Sequence, residues 1–435
     1  MIGKGSGALS ALQWFVFMFA NALMLPIVVG VLFDMSAEDI VGLIQRMFFV
    51  AGVASFLSAK FGHGLPIADG PAGVWLGAFV LMSRFADESG EALRLLEGGM
   101  LFAGLLVTAV GATGTMRKLM RLFTPIVTGV YLILLAIQLC GTLLKGMLFA
   151  SNGDAYPGGN IAIALLVFLL VFACSAWGRG WVRSYALLIG VALGWLAYGI
   201  RNGFGGGRMA DDVFRAPAWF AWGPPAFDGG MALSSAIVAF IVISSLVASV
   251  NAMRHVIPAD GDKSDEERRF RGGALMSGAS TMLAGAFSAI GSVPLSISSG
   301  FVRTTGQRAM GPFYAASLLL VAVSFVPALF SVLALLPGQI ANAVMFALFA
   351  QILGIGVKAL TGATLDERGL TIVSMSLGLG TAVLFLPAEL FATMPDALQY
   401  VLGNGLVVGM LVALGLEQLW RERRDTDPTS GRAAA

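Results

Sequence analysis

Charged side chains are scarce in this sequence of 435 residues, of which 12% are Asp, Glu, Lys or Arg. A soluble protein has about a quarter of such residues. Hydrophobic residues make up 57% of the chain and the mean hydropathy is +0.84. The net charge of +2 and the lack of a long basic tract exclude a nucleic-acid partner. The composition therefore predicts an all-α protein with many membrane-spanning segments, surrounded by a lipid bilayer.

Cysteine and histidine are also rare, with two residues of each. Cys140 and Cys174 both lie in apolar runs, which excludes a disulfide framework and disfavours a metal site. His63 and His255 are far apart in sequence, and no glycine-rich phosphate loop is present, so a nucleotide-driven pump is not indicated. No nucleophile–base pair or acid–base pair lies within the apolar runs. We therefore expect neither an enzyme nor a bound cofactor.

Apolar runs recur along the chain, most of them with the roughly 17–25 residues that cross a bilayer. We place about fourteen segments, at 9–32, 40–60, 64–83, 96–115, 122–149, 159–178, 183–201, 232–253, 271–291, 295–308, 311–334, 337–357, 369–387 and 397–420. The first run has no clear cleavage site, so we interpret it as a span rather than a signal peptide. The polar stretch 201–230 divides the set into two halves of seven. The prediction is a first repeat at 1–200, an extracytoplasmic loop at 201–230, a second repeat at 231–420 and a cytoplasmic tail at 421–435.

Lys and Arg concentrate in alternate loops. If the amino terminus is inside, the outer loops hold Arg84, Arg94, Lys145, Arg201, Arg208 and Arg215, and the remaining basic loop residues lie inside. This asymmetry is the positive-inside pattern. It predicts an even number of spans with both termini cytoplasmic, in a cell membrane that we expect to be a bacterial inner membrane.

Two segments are interrupted by short polar stretches that contain glycine and proline. One runs from Gly291 to Gly306, and the other from Leu65 to Trp75. Non-helical backbone at membrane depth occurs where it is buried in protein or lines a cavity. Transporters place substrate sites at such breaks, once in each internal repeat. These breaks fall in segments three and ten; seven is an odd separation, so the two repeats must have inverted topology.

Segments five and twelve show a weaker similarity in sequence pattern. Pro125 opens the first of these segments and Gln138 follows thirteen residues later. Pro337 opens the second, and Gln351 follows fourteen residues later. This match supports the same repeat.

Several motifs resemble those of the xanthine/uracil permeases, the nucleobase–cation symporter and nucleobase–ascorbate transporter family. They are LQWFVFMFANALMLPIVVG in segment one, LPIADGPAG in segment three, FTPIVTG in segment five, RAPAWFAWGPP before segment eight, GFVRTTG in segment ten and SLGLGTAVLFLP in segment thirteen. The resemblance implies two inverted repeats of seven segments. Segments one to four and eight to eleven would form a core domain, and the others a gate domain. It also implies proton-coupled nucleobase uptake by an elevator-like shift of the core, in a homodimer.

The resemblance implies a site between segments one, three, eight and ten. The Glu that family members carry on segment eight is matched by Ser245, with Ser249 one turn later. The acid or amide of segment ten is matched by Ile297, and the Asn after it by Ser298. The candidate substrate-binding residues are Asn21, Ala72, Gly73, Val74, Ser245, Ser249, Ser296, Ile297, Ser298 and Ser299. The alternatives are an interhelical hydrogen bond for Asn21 and tight helix packing for the serines.

Asp69 and Arg303 are ionisable residues beside the two breaks. A charge at membrane depth is a functional hypothesis by default. Asp69 is the only carboxylate that the sequence places near the predicted site, so it is our candidate for the coupling proton. The alternatives are a structural ion pair between Asp69 and Arg303, or an Arg303 that helps to bind an anion.

The leading prediction is a secondary transporter of a nucleobase. The alternative keeps the fold and changes the substrate to a small anion, as in the sulfate permeases, because Arg303 and the missing carboxylates suit a negative charge. A membrane enzyme or a scaffold is a third class, which no motif in the sequence supports.

Overall fold

The computed structural model describes residues 4–85, 89–115, 122, 124–150, 153–204, 212, 214–257, 263–362, 365–387, 390–391, 394 and 396–420. The first half contains α1 Lys4–Leu32, α2 Ala37–Leu57, a π-helical turn Ser58–Gly62, β1 Asp69–Pro71, α3 Gly73–Phe85, α4 Ser89–Thr113, α5 Pro125–Leu148, α6 Gly158–Ala176, α7 Trp181–Ser184 and α8 Ala186–Asn202. The second half contains α9 Gly229–Arg254, α10 Lys263–Ala286, β2 Ser292–Pro294, α11 Ile297–Thr305, α12 Met310–Val323, α13 Pro327–Leu333, α14 Gly338–Thr361, α15 Glu367–Leu384, α16 Asp396–Leu402 and α17 Gly405–Leu419. The predicted tail at 421–435 lies outside the described residues.

The helices reproduce the predicted segments with local differences. Seven described helices are long and apolar enough to cross a bilayer, and three shorter apolar helices lie at Gly73–Ser83, Ala186–Asn202 and Gly405–Leu419. Segment eleven is not one straight helix, because α12 and α13 meet at an angle of 88°. Pro327 opens α13, and a proline disfavours helical backbone in the residue before it. Segment ten, predicted at 295–308, is helical only over Ile297–Thr305, and β2 lies directly before the predicted segment.

One group of helices forms the core domain, comprising α1–α4 and α9–α12 with the two strands. Its closest helix pair is α4 and α10. A Cβ atom on Gly104 would lie 2.6 Å from the carbonyl oxygen of Gly278, and a Cβ atom on Gly278 would lie 2.6 Å from the carbonyl oxygen of Gly104. Small residues that let backbones approach this closely are typical of membrane helix interfaces.

The other group forms the gate domain, built on α5 and α14 with α6, α8, α15 and α17 around them. Thr124 caps α5 by accepting a hydrogen bond from the Val127 amide over 3.2 Å, and Pro125 occupies the first helical position, where its missing N–H has no cost. Gly129 and Gly356 face each other across the α5–α14 contact: a Cβ on either would lie 3.0 or 3.1 Å from the carbonyl oxygen of the other. The two halves of the chain thus contribute matching helices to one contact.

The breaks in segments three and ten meet inside the core domain. β1 and β2 pair antiparallel, with Asp69 opposite Pro294, Gly70 opposite Val293 and Pro71 opposite Ser292. Proline and glycine interrupt the helices here, and each strand satisfies the backbone groups of the other. The result is a two-stranded element from which α3 and α11 both begin.

Candidate substrate site

The paired strands bring the starts of two half-helices together. The pairing continues at both ends, since the Leu295 amide donates to the Ala68 carbonyl over 2.8 Å and the Ala72 amide donates to the Gly291 carbonyl over 3.0 Å. α3 and α11 therefore begin side by side, and the amino terminus of each helix carries a partial positive charge. The predicted site residues of segments three and ten lie at this point.

Serine hydroxyls connect α9 to the second strand. Ser249 donates to the Pro294 carbonyl oxygen over 2.7 Å, and its hydroxyl is 2.8 Å from that of Ser296. The Ser299 hydroxyl donates to the Ser296 carbonyl over 2.8 Å. Ser245 lies one turn before Ser249 on α9 and is half-buried. Ser249, Ser296 and Ser299 are thus brought together, with Ser296 exposed.

Ser298 and Ile297 begin α11 and have different environments. The Ser298 side chain is fully buried, and its hydroxyl accepts a hydrogen bond from the Ala68 amide over 3.1 Å. It therefore fastens the first break to the second. Ile297 is 40% exposed.

The start of α3 lies against the gate domain. Ala72 and Val74 are buried, and a Cβ on Gly73 would lie 2.8 Å from the ring of Phe349 on α14. Only glycine fits there without displacing that ring. Asn21 on α1 is half-buried and donates to the carbonyl oxygen of Phe17 on its own helix over 2.7 Å. Among the described residues, its amide hydrogen bond thus stays within α1 and is not the interhelical bond considered above.

Asp69 is buried at the start of β1 with only its backbone paired. Its amide donates to the Ser55 hydroxyl over 2.9 Å. Among the described residues, neither oxygen of its carboxyl group has a hydrogen-bond partner. The Ser58 hydroxyl is close enough to act on the carboxyl, although neither group meets the geometry of a hydrogen bond. In the described part of the chain, the site thus holds a buried carboxyl group that has no hydrogen-bond partner of normal geometry and has the Ser58 hydroxyl nearby.

The ion pair between Asp69 and Arg303 does not form. Arg303 is exposed on α11, whereas the Asp69 side chain is buried beside the end of α2. Both residues lie within a few positions of a break in the sequence, which suggested that they are close in space. In the structure Asp69 is on β1, whereas Arg303 is in the last turn of α11.

Sequence reasoning missed a second buried polar cluster, under the loop that joins the two halves. Arg46 on α2 donates to the Ser288 carbonyl over 3.1 Å, and the Ser288 hydroxyl donates to the carboxylate of Glu97 on α4. The Trp222 amide donates to the Ser288 hydroxyl over 3.3 Å. Ser288 has φ +45°, a left-handed conformation that is uncommon outside glycine. Arg46 and Glu97 are ionisable residues inside apolar runs, a signal that points to such a cluster.

The chemistry of these groups suits recognition of a polar solute. Hydroxyls, backbone amides and a carboxyl group offer hydrogen bonds without a reactive nucleophile. Within the described part of the chain, His, Cys, Asp and Glu side chains form no group of three that could hold a metal ion.

This architecture is a helical membrane fold with two inverted repeats. The transmembrane domain of a cyanobacterial bicarbonate transporter, BicA, has a similar fold, with a TM-score of 0.63 at 15% identity over 94% of this chain and 98% of that chain. The anion transporter Slc26a9 of the mouse gives a TM-score of 0.63 at 11% identity, over 96% of this chain and 68% of that chain.

The family follows from the sequence matches. Residues 5–389 match the family model of the xanthine/uracil permeases, described as a permease family. The chain is 30% identical to the permease YwdJ of Bacillus subtilis (strain 168), over 97% of this chain and 98% of YwdJ. It is 27% identical to the xanthine permease of that organism, over 95% of this chain and 93% of the permease, and 25% identical to its uric acid permease PucK, over 95% of each. The chain belongs to the xanthine/uracil permease family, and it is a transporter rather than an enzyme.

Proposed function

We propose that this protein is a secondary active transporter that takes up a nucleobase of the xanthine or uracil type together with protons. The observation that carries the proposal is the end-to-end similarity to relatives that are named for xanthine and uric acid. A planar base needs several hydrogen-bond donors and acceptors along its edges. The exposed Ser296 hydroxyl, the neighbouring Ser249 hydroxyl and the half-buried Ser245 can supply both kinds.

Ile297 takes the place where family members carry a polar anchor. Its exposed side chain would contact the face of a flat ring, and the serines would bond its edge. A site of this kind favours an aromatic heterocycle over a strongly hydrated ion. The base edge is then selected by hydroxyl groups instead of a carboxylate.

Asp69 is our candidate for the proton-coupling group. A buried carboxyl group without a salt bridge is costly to ionise, because the charge loses its hydration. Such a group can gain and lose a proton as its surroundings change between two conformations. Since β1 joins Asp69 to the start of α3, the surroundings of Asp69 would depend on the element that we propose to contact the substrate.

The transport step would be an elevator-like shift of the core domain against the gate domain. The face between α3 and the gate is mostly apolar, with Gly73 against Phe349 and Gly77 against Leu135. Such a surface can slide without breaking many hydrogen bonds. We further propose a homodimer in a bacterial cell membrane, with both termini cytoplasmic, as the positive-inside pattern suggests.

A small anion is the second candidate substrate. The amino termini of α3 and α11 begin side by side, and helix amino termini attract negative charge. Arg303, which is exposed in the last turn of α11, would add a positive charge at the other end of that half-helix.

A thermal-shift screen of the detergent-purified protein tests the proposal. The ligands are uracil, xanthine, hypoxanthine, guanine, adenine, urate, sulfate and bicarbonate. A ligand that binds the folded state raises its melting temperature by mass action. We expect a shift with at least one base, and no such shift in an Ile297→Trp variant that remains folded. A shift with sulfate or bicarbonate alone would replace the nucleobase by an anion.

A further inference from the structure

Two serines at the end of α2 lie beside different parts of Asp69. The Ser55 hydroxyl accepts a hydrogen bond from the Asp69 amide over 2.9 Å and donates to the Asp69 carbonyl oxygen over 3.4 Å. Ser58 follows three residues later, a spacing that places both serines on the same face of a helix. Both serine side chains are fully buried. Ser55 therefore fixes the backbone of Asp69, and Ser58 is left beside its side chain.

The Ser58 hydroxyl and the Asp69 carboxyl group are complementary. Within the described chain, neither group has a hydrogen-bond partner of normal geometry, and the hydroxyl lies close enough to act on the carboxyl group. Leaving buried polar groups unpaired is costly. A serine hydroxyl can turn to donate to an ionised carboxylate or to accept from a protonated carboxyl group. A small rotation of the two side chains would thus pair them in either protonation state.

The helix changes its geometry at this serine. Ser58 opens the π-helical turn Ser58–Gly62, and single π-helical turns are frequent at functional sites. The carbonyl oxygen of Ala59 in this turn accepts a hydrogen bond from the Tyr314 hydroxyl on α12 over 3.4 Å. On another side, a Cβ on Gly62 would lie 3.2 Å from the carbonyl oxygen of Gly272 on α10. The turn that begins with Ser58 is therefore held between two helices of the core domain.

Few charged side chains come from the elements around Asp69. The elements packed against β1 are α1, α2 and β2. Their ionisable residues other than Asp69 are the first residue of α1 and three residues in the first half of α2: Lys4, Glu38, Asp39 and Arg46. In the connection from α2 to β1, Lys60 is exposed, and the buried His63 accepts a hydrogen bond from the Leu65 amide at Nδ1 over 3.1 Å. Among the described residues, Ser58 is thus the polar side chain placed to pair with the Asp69 carboxyl group.

We propose that Ser58 is the positioning residue for the proton that Asp69 gains and loses. The inference rests on the proposed proton-coupling role of Asp69 and names the side chain that adjusts it. A hydrogen bond to a charged group is stronger than one to a neutral group. Ser58 therefore stabilises the ionised carboxylate more than the protonated carboxyl group. Removal of its hydroxyl would change how tightly Asp69 holds the proton.

A pH titration of Asp69 tests this role directly. Infrared spectra of the detergent-purified protein, recorded over a range of pH without substrate, follow the C=O stretching band of protonated carboxyl groups. The Asp69→Asn variant identifies the band that belongs to Asp69. In Ser58→Ala we expect the midpoint of this band to rise by roughly 0.5–1 pH unit, or threefold to tenfold tighter proton binding, because the ionised form loses the stronger hydrogen bond.

Two further variants separate this role from a structural one. Ser58→Cys keeps a side chain of similar size with a weaker donor, so it should shift the titration midpoint less and in the same direction. Ser55→Ala is the matched control, because Ser55 bonds the backbone of Asp69. It should lower the midpoint of thermal unfolding and leave the titration midpoint near that of the wild type. An unchanged or lower titration midpoint in Ser58→Ala, or an equal rise in Ser55→Ala, would overturn the proposal.

The titration requires neither substrate nor a proton gradient, so it stands apart from transport. If Asp69→Asn accumulates the base as the wild type does, the coupling role of Asp69 fails, and a raised midpoint in Ser58→Ala still supports the pairing of the two side chains. If accumulation depends on Asp69 and the midpoint is unchanged in Ser58→Ala, the coupling role stands and the role of Ser58 fails. A wild-type spectrum without a titrating band that Asp69→Asn removes would overturn both.

Discussion

The hydroxyl group of Ser249 lies 2.8 Å from that of Ser296 and donates to the Pro294 carbonyl oxygen over 2.7 Å. This contact holds the end of β2 against α9. It also fixes the orientation of the exposed Ser296, on the face where we place the substrate. The same serines thus support the broken segment and line the proposed site.

If these hydroxyls bond the base, Ser296→Ala should weaken binding of the base found in the ligand screen by about tenfold, the effect of one or two lost hydrogen bonds. Ser249→Ala should weaken binding similarly. The double variant should weaken binding by less than the product of the two single effects, because the two hydroxyls are hydrogen-bonded to each other. Ser244→Ala on α9 is the control. Unchanged binding in both single variants would remove the serines from the site.

Ser298 should matter for stability more than for binding. Its hydroxyl accepts the hydrogen bond of the Ala68 amide inside the core domain. Ser298→Ala leaves that buried amide without an acceptor, which costs about 1–3 kcal/mol. We expect a lower midpoint of thermal unfolding. Ser299→Ala, which removes a more exposed bond, should have a smaller effect; an equal or larger effect would contradict this assignment.

Close packing of α4 on α10 should not tolerate a single methyl group at Gly104. Its Cβ would lie 2.5 Å from the Met282 side chain and 2.6 Å from the Gly278 carbonyl oxygen. Overpacking of this kind costs about 1–3 kcal/mol. Gly104→Ala should therefore lower the unfolding midpoint and the folded yield. Gly141→Ala on α5 is the matched control, because its Cβ would meet nothing within 4 Å.

Removal of Glu97 should lower the stability of the protein, because Glu97 belongs to the buried cluster with Arg46 and Ser288. Glu97→Ala removes the acceptor of the buried Ser288 hydroxyl and a negative charge near Arg46, which is 7% exposed, and a buried group left without its partner costs about 1–3 kcal/mol. Arg46→Met together with Glu97→Ala should be less destabilising than the sum of the single changes. Glu38→Ala tests an exposed ion pair instead, since Glu38 is 79% exposed, and should change stability by less than about 1 kcal/mol. Additive effects of the Arg46 and Glu97 changes would show that they act independently.

The sequence was sufficient to predict the class of membrane protein, its internal repeat and the two interrupted segments. Hydrophobic run lengths are set by bilayer thickness, and a polar stretch with proline and glycine inside such a run cannot continue as a regular helix at membrane depth. The sequence was not sufficient for side-chain pairing. It placed Asp69 and Arg303 near the same element, but which way each side chain turns depends on α2 and α11 packing around the strands.

The buried cluster of Arg46, Glu97 and Ser288 was not predicted from the sequence, for a related reason. Its members lie on separate segments, and only the packing of α2, α4 and the end of α10 brings them together. The ionisable residues were visible inside apolar runs, but their partner was a serine in a left-handed turn. Local sequence carries no distinct signal for such a contact.

Accumulation of the screened base in proteoliposomes under an inward proton gradient is the most direct test of proton-coupled uptake. The wild-type protein should concentrate the base inside the vesicles, and collapse of the gradient should release it. Asp69→Asn, which keeps the shape of the side chain and cannot exchange a proton, should still exchange internal for external base but should not accumulate it. Accumulation by Asp69→Asn equal to that of the wild type would contradict the role of Asp69, and gradient-independent uptake by the wild type would contradict proton coupling itself.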